Sequence, residues 1–325
     1  MTVVDGTMGS GTPASQPELV HAPLSAVVRD CPATQAAALI GDGWSQLIIR
    51  EMFAGRRRFT EFASALGISR AVLTDRLKRL VDSGIIYQDA AKRDGSRRDY
   101  IFTAKGRDTI GIVLMQNAWE RAFEIDHLAS DPARLPDRDA PQAVLLTRPG
   151  GVPVEIRRLA FEYIGSDVQP EPTPNSRRRG EGVQPVGLTG AVSVLGDPWA
   201  WRILICAFLG VRRFDEFGQV LAIASNVLTD RLNRLIEAEL LLRERYHRLP
   251  PRYEYRLAVA GQALLPLFGA MYGWGERWLY SHGQLPMRLF DRLTGERITP
   301  VVCDEATRQP IKSVAFQSIS KSIAA

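Results

Sequence analysis

Positive charge in this chain is gathered rather than spread. Basic residues stand together at Arg56-Arg57-Arg58, Lys92-Arg93, Arg97-Arg98, Arg177-Arg178-Arg179 and Arg212-Arg213, although the formal net charge is only +5 over 325 residues. Clustered guanidinium groups suit a polyanion, because each forms charge-assisted hydrogen bonds to phosphate. Arg177 to Arg179, inside a Pro-rich stretch, read instead as solvated charge. Other chemistries are poorly supplied. Three cysteines, Cys31, Cys206 and Cys303, and four histidines are dispersed, and no C-x-x-C or H-x-x-x-H spacing occurs. No nucleophile with its base and no Gly-rich phosphate loop is found either, so neither an enzyme, a metal site nor a cofactor is expected. So few scattered cysteines fit a reducing compartment, and no apolar run reaches the roughly 20 residues that cross a bilayer. A cytoplasmic protein with no membrane partner is the expectation.

The charged clusters recur with their surroundings. VLTDRL at Val72 to Leu77 returns at Val227 to Leu232, and an offset of 155 also aligns Gly41-Asp42-Gly43-Trp44 with Gly196-Asp197-Pro198-Trp199. The offset pairs Arg57 to Phe62 with Arg212 to Phe217, Gly106 with Gly261 and Trp119 with Trp274, and 21 of the 40 positions from Gly41 to Leu80 are identical. Two copies cannot make a solenoid, which needs at least three, so this is a duplicated domain. The expected organisation is a disordered tail over 1–23, a first domain over 24–128, a hairpin extension and Pro/Gly/Arg linker over 129–189, a second domain over 190–283, and a C-terminal hairpin extension and tail over 284–325.

Each copy yields the same elements. Asp42 and Asp197 cap a helix carrying Trp44, Leu47, Ile48, Met52 and Phe53, or Trp199, Ile203, Leu204 and Phe208, stopped by Gly55 or Gly210. Thr60 and Asp215 are good caps for a second helix. Ser69 caps a third, in which Leu73, Leu77 and Leu80 face the core, while Arg70, Ala71, Thr74, Asp75 and Lys78 form a small polar face suited to a major groove. A strand, a basic turn and a returning strand follow, and Thr103 opens a last apolar helix reaching about His127, expected to pair with its counterpart. Trp119, Tyr272, Trp274 and Trp278 on these helices read chiefly as core, with a ligand space between them the lesser alternative. Helix, helix, helix and basic hairpin is the winged-helix order, giving a mainly α fold with small β (α+β): two tandem winged helix-turn-helix domains as an intramolecular pseudo-dimer, each followed by a small β-hairpin.

Taken together, Cys31-Pro32, Leu39-Ile40-Gly41 with Trp44, Arg58-Phe59 with Glu61, and Leu73-Thr74 with Arg76-Leu77 closely resemble the HxlR family of bacterial winged-helix transcriptional regulators. The resemblance covers residues 31–127, and 190–282 from the Gly-Asp-x-Trp element onward. It implies binding to double-stranded DNA, usually by homodimers on inverted repeats and often as repressors, with this chain as a fused dimer. Further homodimerisation stays open. So does an effector, a small molecule or an oxidant, because redox-sensing relatives use the cysteine at the Cys31 position. A thiol at a helix N-terminus can have a lowered pKa, which would favour that role.

The second copy departs from the first where Cys31-Pro32 becomes Val186-Gly187, Ser69 becomes Ala224, Gly84 becomes Glu239 and Thr103 becomes Ala258. The candidate DNA contacts in the first copy are Ser69 and Arg70 at the start of the third helix, Thr74 for a base edge or thymine methyl, and Lys78 with wing residues Arg93, Arg97 and Arg98 for phosphates. In the second they are Ser225, Asn226, Thr229 and Asn233, with Arg248 and Arg252 on a Pro-stiffened wing. Asn226 has the donor and acceptor to pair bidentately with adenine. Unlike faces predict unequal half-sites, centred about 34 Å apart if both helices enter one side of the duplex. Asp75 and Asp230 read chiefly as ion-pair partners of Arg79 and Arg234, four residues on, with acceptance of a hydrogen bond from cytosine the lesser alternative. The competing reading is a winged-helix protein-interaction module with one or both faces inactive.

Overall fold

The computed structural model describes residues 23–89, 99–123, 144–155, 158–165, 195–280 and 284–311. The expected N-terminal tail, the first wing tip with Arg93, Arg97 and Arg98, and the linker with Arg177 to Arg179 lie outside the described residues. The first repeat runs α1 (Leu24–Asp30), α2 (Pro32–Ile40), α3 (Gly43–Phe53), α4 (Phe59–Leu66), α5 (Arg70–Asp82), β1 (Ile86–Gln88), β2 (Tyr100–Phe102), α6 (Ala104–Arg107) and α7 (Ile110–Ala122). Strands β3 (Val144–Thr147) and β4 (Leu159–Tyr163) follow. The second repeat runs α8 (Pro198–Phe208), α9 (Phe214–Leu221), α10 (Ser225–Glu237), β5 (Leu241–His247), β6 (Arg252–Leu257), α11 (Val259–Gln262) and α12 (Leu265–Leu279), then β7 (Met287–Asp291), β8 (Arg297–Ile298) and β9 (Val301–Asp304).

The duplication is visible in the core. Ile48, Met52, Phe62, Leu73, Leu77, Leu80 and Ile85 are buried in the first repeat, and Ile203, Ala207, Phe217, Leu228, Leu232, Leu235 and Leu240 fill the same positions in the second. Local caps set the helix starts: Asp42 accepts from Ser45 N at 3.2 Å, Asp197 accepts from Trp199 N at 2.8 Å with Pro198 at the first helical position, and Ser69 accepts from Val72 N at 3.4 Å. Thr60 and Asp215 do not cap α4 and α9, which begin one residue earlier. Glu61 instead accepts from the N–H groups of Arg57 and Arg58 at 2.8 and 2.9 Å, and Glu216 from those of Arg212 and Arg213 at 3.0 and 2.9 Å. A carboxylate three residues into a helix satisfies the free donors at its start, which frees Thr60 and Asp215 from that role.

The last helix of each repeat is broken rather than continuous. Thr103 caps only the short α6, accepting from Gly106 N at 3.1 Å, and the chain turns at Asp108-Thr109 before α7. Gly106 is required there, because a Cβ would lie 2.0 Å from the Ile85 carbonyl oxygen, and its counterpart Gly261 stands equally close to that of Leu240. The break lets α6 sit on the wing while α7 turns toward the other repeat.

The repeats meet around a pseudo-twofold axis. Trp119 Nε1 donates to the Ala260 carbonyl at 2.9 Å, and Trp274 Nε1 to that of Lys105 at 3.1 Å, two bonds that the 155-residue offset exchanges. Strand β3 pairs antiparallel with β9, and its pairs Leu146–Val302 and Thr147–Val301 are likewise exchanged by the offset. Helices α7 and α12 touch, and α2 packs along α12 and α8 while α1 reaches α8 and α9, so the N-terminal helices of the first repeat lie on the second. The extensions depart in part from the expected separate hairpins. The chain does turn back after β3, with Arg148 N donating to Val152 O at 2.7 Å, and β7 pairs with β8, yet the long partners of β3 and β4 are β9 and β7 of the other extension. Small paired strands gain apolar cover by crossing to a second layer, which an isolated hairpin lacks.

Candidate nucleic-acid interface

Helices α5 and α10 are anchored on one side and open on the other. Leu73, Leu77 and Leu80 are buried, while Ser69, Arg70, Ala71, Thr74, Asp75 and Lys78 are exposed; in α10 Leu228, Leu232 and Leu235 are buried, while Ser225, Asn226, Thr229, Asp230 and Asn233 are exposed. Arg70 lies over the Phe59 ring, 5.4 Å from its centroid. The hydroxyls of Thr74 and Thr229 each donate to the carbonyl four residues back, Arg70 O and Ser225 O, at 2.8 Å. That leaves a methyl and an oxygen lone pair on each threonine for a partner.

The charged half of the repeated hexapeptide holds the helix in place. Asp75 pairs with Arg79 at 3.1 Å and Asp230 with Arg234 at 3.1 Å, as the spacing predicts. Arg76 ties α5 to the cap of α3 through Asp42 at 2.8 Å, and Arg231 reaches Asp197 in the same way. Val, Leu and Leu pack, Asp and Arg brace, and threonine is left facing solvent.

Beside each helix, the wing is hung from the basic loop that precedes α4 or α9. Tyr100 N donates to Arg57 O and Tyr255 N to Arg212 O, both at 2.8 Å. Arg58 pairs with Asp99 at 3.3 Å and Arg213 with Glu254 at 3.9 Å. Desolvation pushes the Glu61 carboxyl up, but the N–H groups of Arg57 and Arg58 and the nearby guanidinium groups outweigh it and hold the carboxyl below its usual range. In the second wing Arg248 and Arg252 are exposed at the turn between β5 and β6, as expected, with Arg243 stacked 3.7 Å from the Tyr253 centroid and Arg245 exposed on the same strand. The sequence singled out Arg58 and Arg213 as members of basic clusters without naming them as DNA contacts, and it gave no sign of Arg243 and Arg245. The first two stand in the recurring Arg-Arg-Phe segment, where recurrence was the available signal.

Cys31 sits at the start of α2, but it is buried, and desolvation pushes its thiol up against the weaker opposing pull of the Thr34 and Ala33 N–H groups. The helix terminus therefore does not lower this thiol, because removal from water dominates. Cys206, also buried, is pushed up to about 12 by desolvation. Trp119, Tyr272 and Trp274 are buried and hydrogen-bonded in packing, while Trp278 lines a cleft. Among the described residues no group of His, Cys, Asp and Glu is placed to hold a metal, and no helix is long and apolar enough to cross a membrane.

Three helices whose third presents an open polar face, followed by a two-stranded wing, define a winged helix-turn-helix domain, here present twice. The HxlR-like helix-turn-helix family model matches residues 39–127 and again 194–283, and the chain belongs to that family. An HTH-type transcriptional regulator of Mycobacterium tuberculosis is 35% identical over 114 residues, which cover 35% of this chain and 72% of the relative. The Bacillus subtilis regulator YdeP is 32% identical over 123 residues, 38% of this chain and 84% of that protein. A structure solved as a transcription factor from Pseudomonas aeruginosa is 38% identical, covering 32% of this chain and 70% of that one with a TM-score of 0.28. This is a DNA-binding transcriptional regulator of the helix-turn-helix type, not an enzyme.

Proposed function

We propose that the chain is a sequence-specific repressor in which α5 and α10, two unlike reading heads, engage the two halves of one imperfect inverted repeat of double-stranded DNA. The reading is carried by one observation: both third helices bury their leucine faces and leave their polar faces open. Contacts between the repeats take the place of a homodimer interface. Arg70 and Lys78 neutralise phosphates or reach a base edge, Thr74 and Thr229 offer methyls to thymine, and Asn226 is the adenine reader. Ser69, Ser225 and Asn233 supply shorter polar contacts. Arg93, Arg97 and Arg98 of the first wing, and Arg248 and Arg252 of the second, take flanking phosphates. The choice of repressor over activator follows the family resemblance.

The test begins with selecting bound sites from random DNA and measuring affinity against salt. Lys78→Ala is expected to weaken all sequences alike and flatten the log–log salt slope by about 1. Asn226→Ala is expected to cost about 1–3 kcal/mol on the selected site and to relax preference at one position of one half-site only. Parent-like affinity and slope in both variants would mean that these faces do not read DNA.

A further inference from the structure

A cleft of about 520 Å³ opens where the first winged domain meets the second repeat, lined by Arg107 of α6, Asp108 after it, Gly111 and Ile112 of α7, Ala270, Arg277 and Trp278 of α12, and Val301, Val302 and Ile311. Its walls are mostly apolar, and its polar groups converge on one spot. Asp108 Oδ2 accepts from Arg277 Nε at 3.0 Å, Arg277 Nη2 at 2.9 Å and Trp278 Nε1 at 2.7 Å. Two cations, Arg107 and Arg277, stand against one carboxylate, so the rim carries an excess positive charge.

The duplication supplies an internal control. By the 155-residue offset, the positions matching Arg107, Asp108, Arg277 and Trp278 are Gln262, Ala263, Ala122 and Phe123. The polar set therefore exists on one side of the pseudo-twofold axis only. Packing between repeats does not need it, since the other side is built without it. An apolar cleft of this size with a few convergent polar groups is the usual form of a small-molecule site.

We infer that this cleft binds a small apolar monocarboxylate, ring-sized in its body, whose carboxylate takes the Arg277 guanidinium from Asp108 while Trp278 and the Ile112, Ala270 and Val302 wall cover the rest. The guanidinium accepts either carboxylate in the same fork geometry. Asp108 lies at the hinge between α6 and α7, and Arg277 belongs to the other repeat, so the exchange loosens a tie between the two halves. Its effect on DNA rests on the function proposed above; binding itself does not.

The experiment uses the full chain without DNA. The anionic apolar dye 1-anilinonaphthalene-8-sulfonate is titrated by fluorescence, then competed with naphthalene-1-carboxylate and with its neutral amide. We expect one saturable site per chain, the acid competing about tenfold better than the amide, and that preference lost in Arg277→Gln while its circular dichroism spectrum stays that of the parent. Filling the cleft with Ile311→Trp should abolish dye binding while leaving the circular dichroism spectrum intact. The proposal is overturned if acid and amide compete equally, if Arg277→Gln keeps the preference, or if dye binds only after residues 312–325 are removed, which would make the chain's own tail the occupant. Repeating the acid titration on the selected DNA then reads regulation separately: a shifted affinity extends the proposal, and an unshifted one removes the coupling step.

Discussion

Arg231 and Arg76 occupy the same place in the two hexapeptides but not the same surroundings. The side chains of Arg231 and Asp197 are 10% and 8% exposed, against 17% and 23% for Arg76 and Asp42. Removing one member of a pair costs most where the other is left in a dry place, because its charge then lacks both water and partner. We expect Arg231→Ala to cost about 2–3 kcal/mol in urea unfolding and Arg76→Ala about 1 kcal/mol, the more hydrated pair being worth less. Equal losses would show that hydration does not separate the two braces. The cysteines make a second expectation at this scale. With all three buried, and burial pushing Cys31 and Cys206 up, the native thiols should react with a disulfide reagent at pH 8 only as fast as the fold opens. Reaction of Cys31 at the rate of a free thiol would instead support the sensing role implied by its place in the family pattern.

Helix ends show how the second copy has drifted. Gly84 and Gly67 adopt φ of 68° and 60° after α5 and α4, and the residues that replace them, Glu239 and Ala222, are held at 55° and 48°. A side chain in the left-handed region carries a steric cost that glycine avoids. Glu239→Gly should therefore raise stability by about 1 kcal/mol, visible as a higher urea midpoint, and a loss of stability would mean that the Glu239 side chain holds something else in place. Such ends were legible in the sequence because they depend on nearby residues: Asp42, Asp197 and Ser69 cap as their types and positions predict. Where Ala224 replaces Ser69, α10 has no side-chain cap bond at its start. The break at Asp108-Thr109 was not legible, since residues 104–110 hold no proline and the close approach of Gly106 to the Ile85 carbonyl is visible only in the folded chain. Partners far along the chain were hidden for the same reason. Nothing local to Val144–Thr147 indicates Val301–Asp304 as its neighbour, nor that α1 and α2 lie on α8, α9 and α12. In the candidate site, the open faces of α5 and α10 followed from leucine spacing and the basic clusters at Arg58 and Arg213 from recurrence, whereas their place beside the wing depends on the way the wing is hung.

At the scale of the whole molecule, the two winged helix-turn-helix domains are joined by shared helices and strands. The N-terminal helices lie on the second repeat, β3 and β4 complete sheets with β9 and β7, and each repeat's tryptophan bonds to the other's backbone. Residues 23–165 and 166–325 produced separately should each lack a cooperative melt, and mixing them should restore one, because each fragment exposes the apolar surface the other covers. A sharp independent transition in either fragment, followed by circular dichroism, would count against this. The pairing of β3 with β9 inside one polypeptide has a consequence for dosage in the cell. A reader assembled from loose subunits thins out faster than its own abundance when the gene is weakly expressed, since two copies must first find each other. On the function proposed above, one translation event delivers both reading heads together, so site occupancy should climb in simple proportion from the first few molecules made.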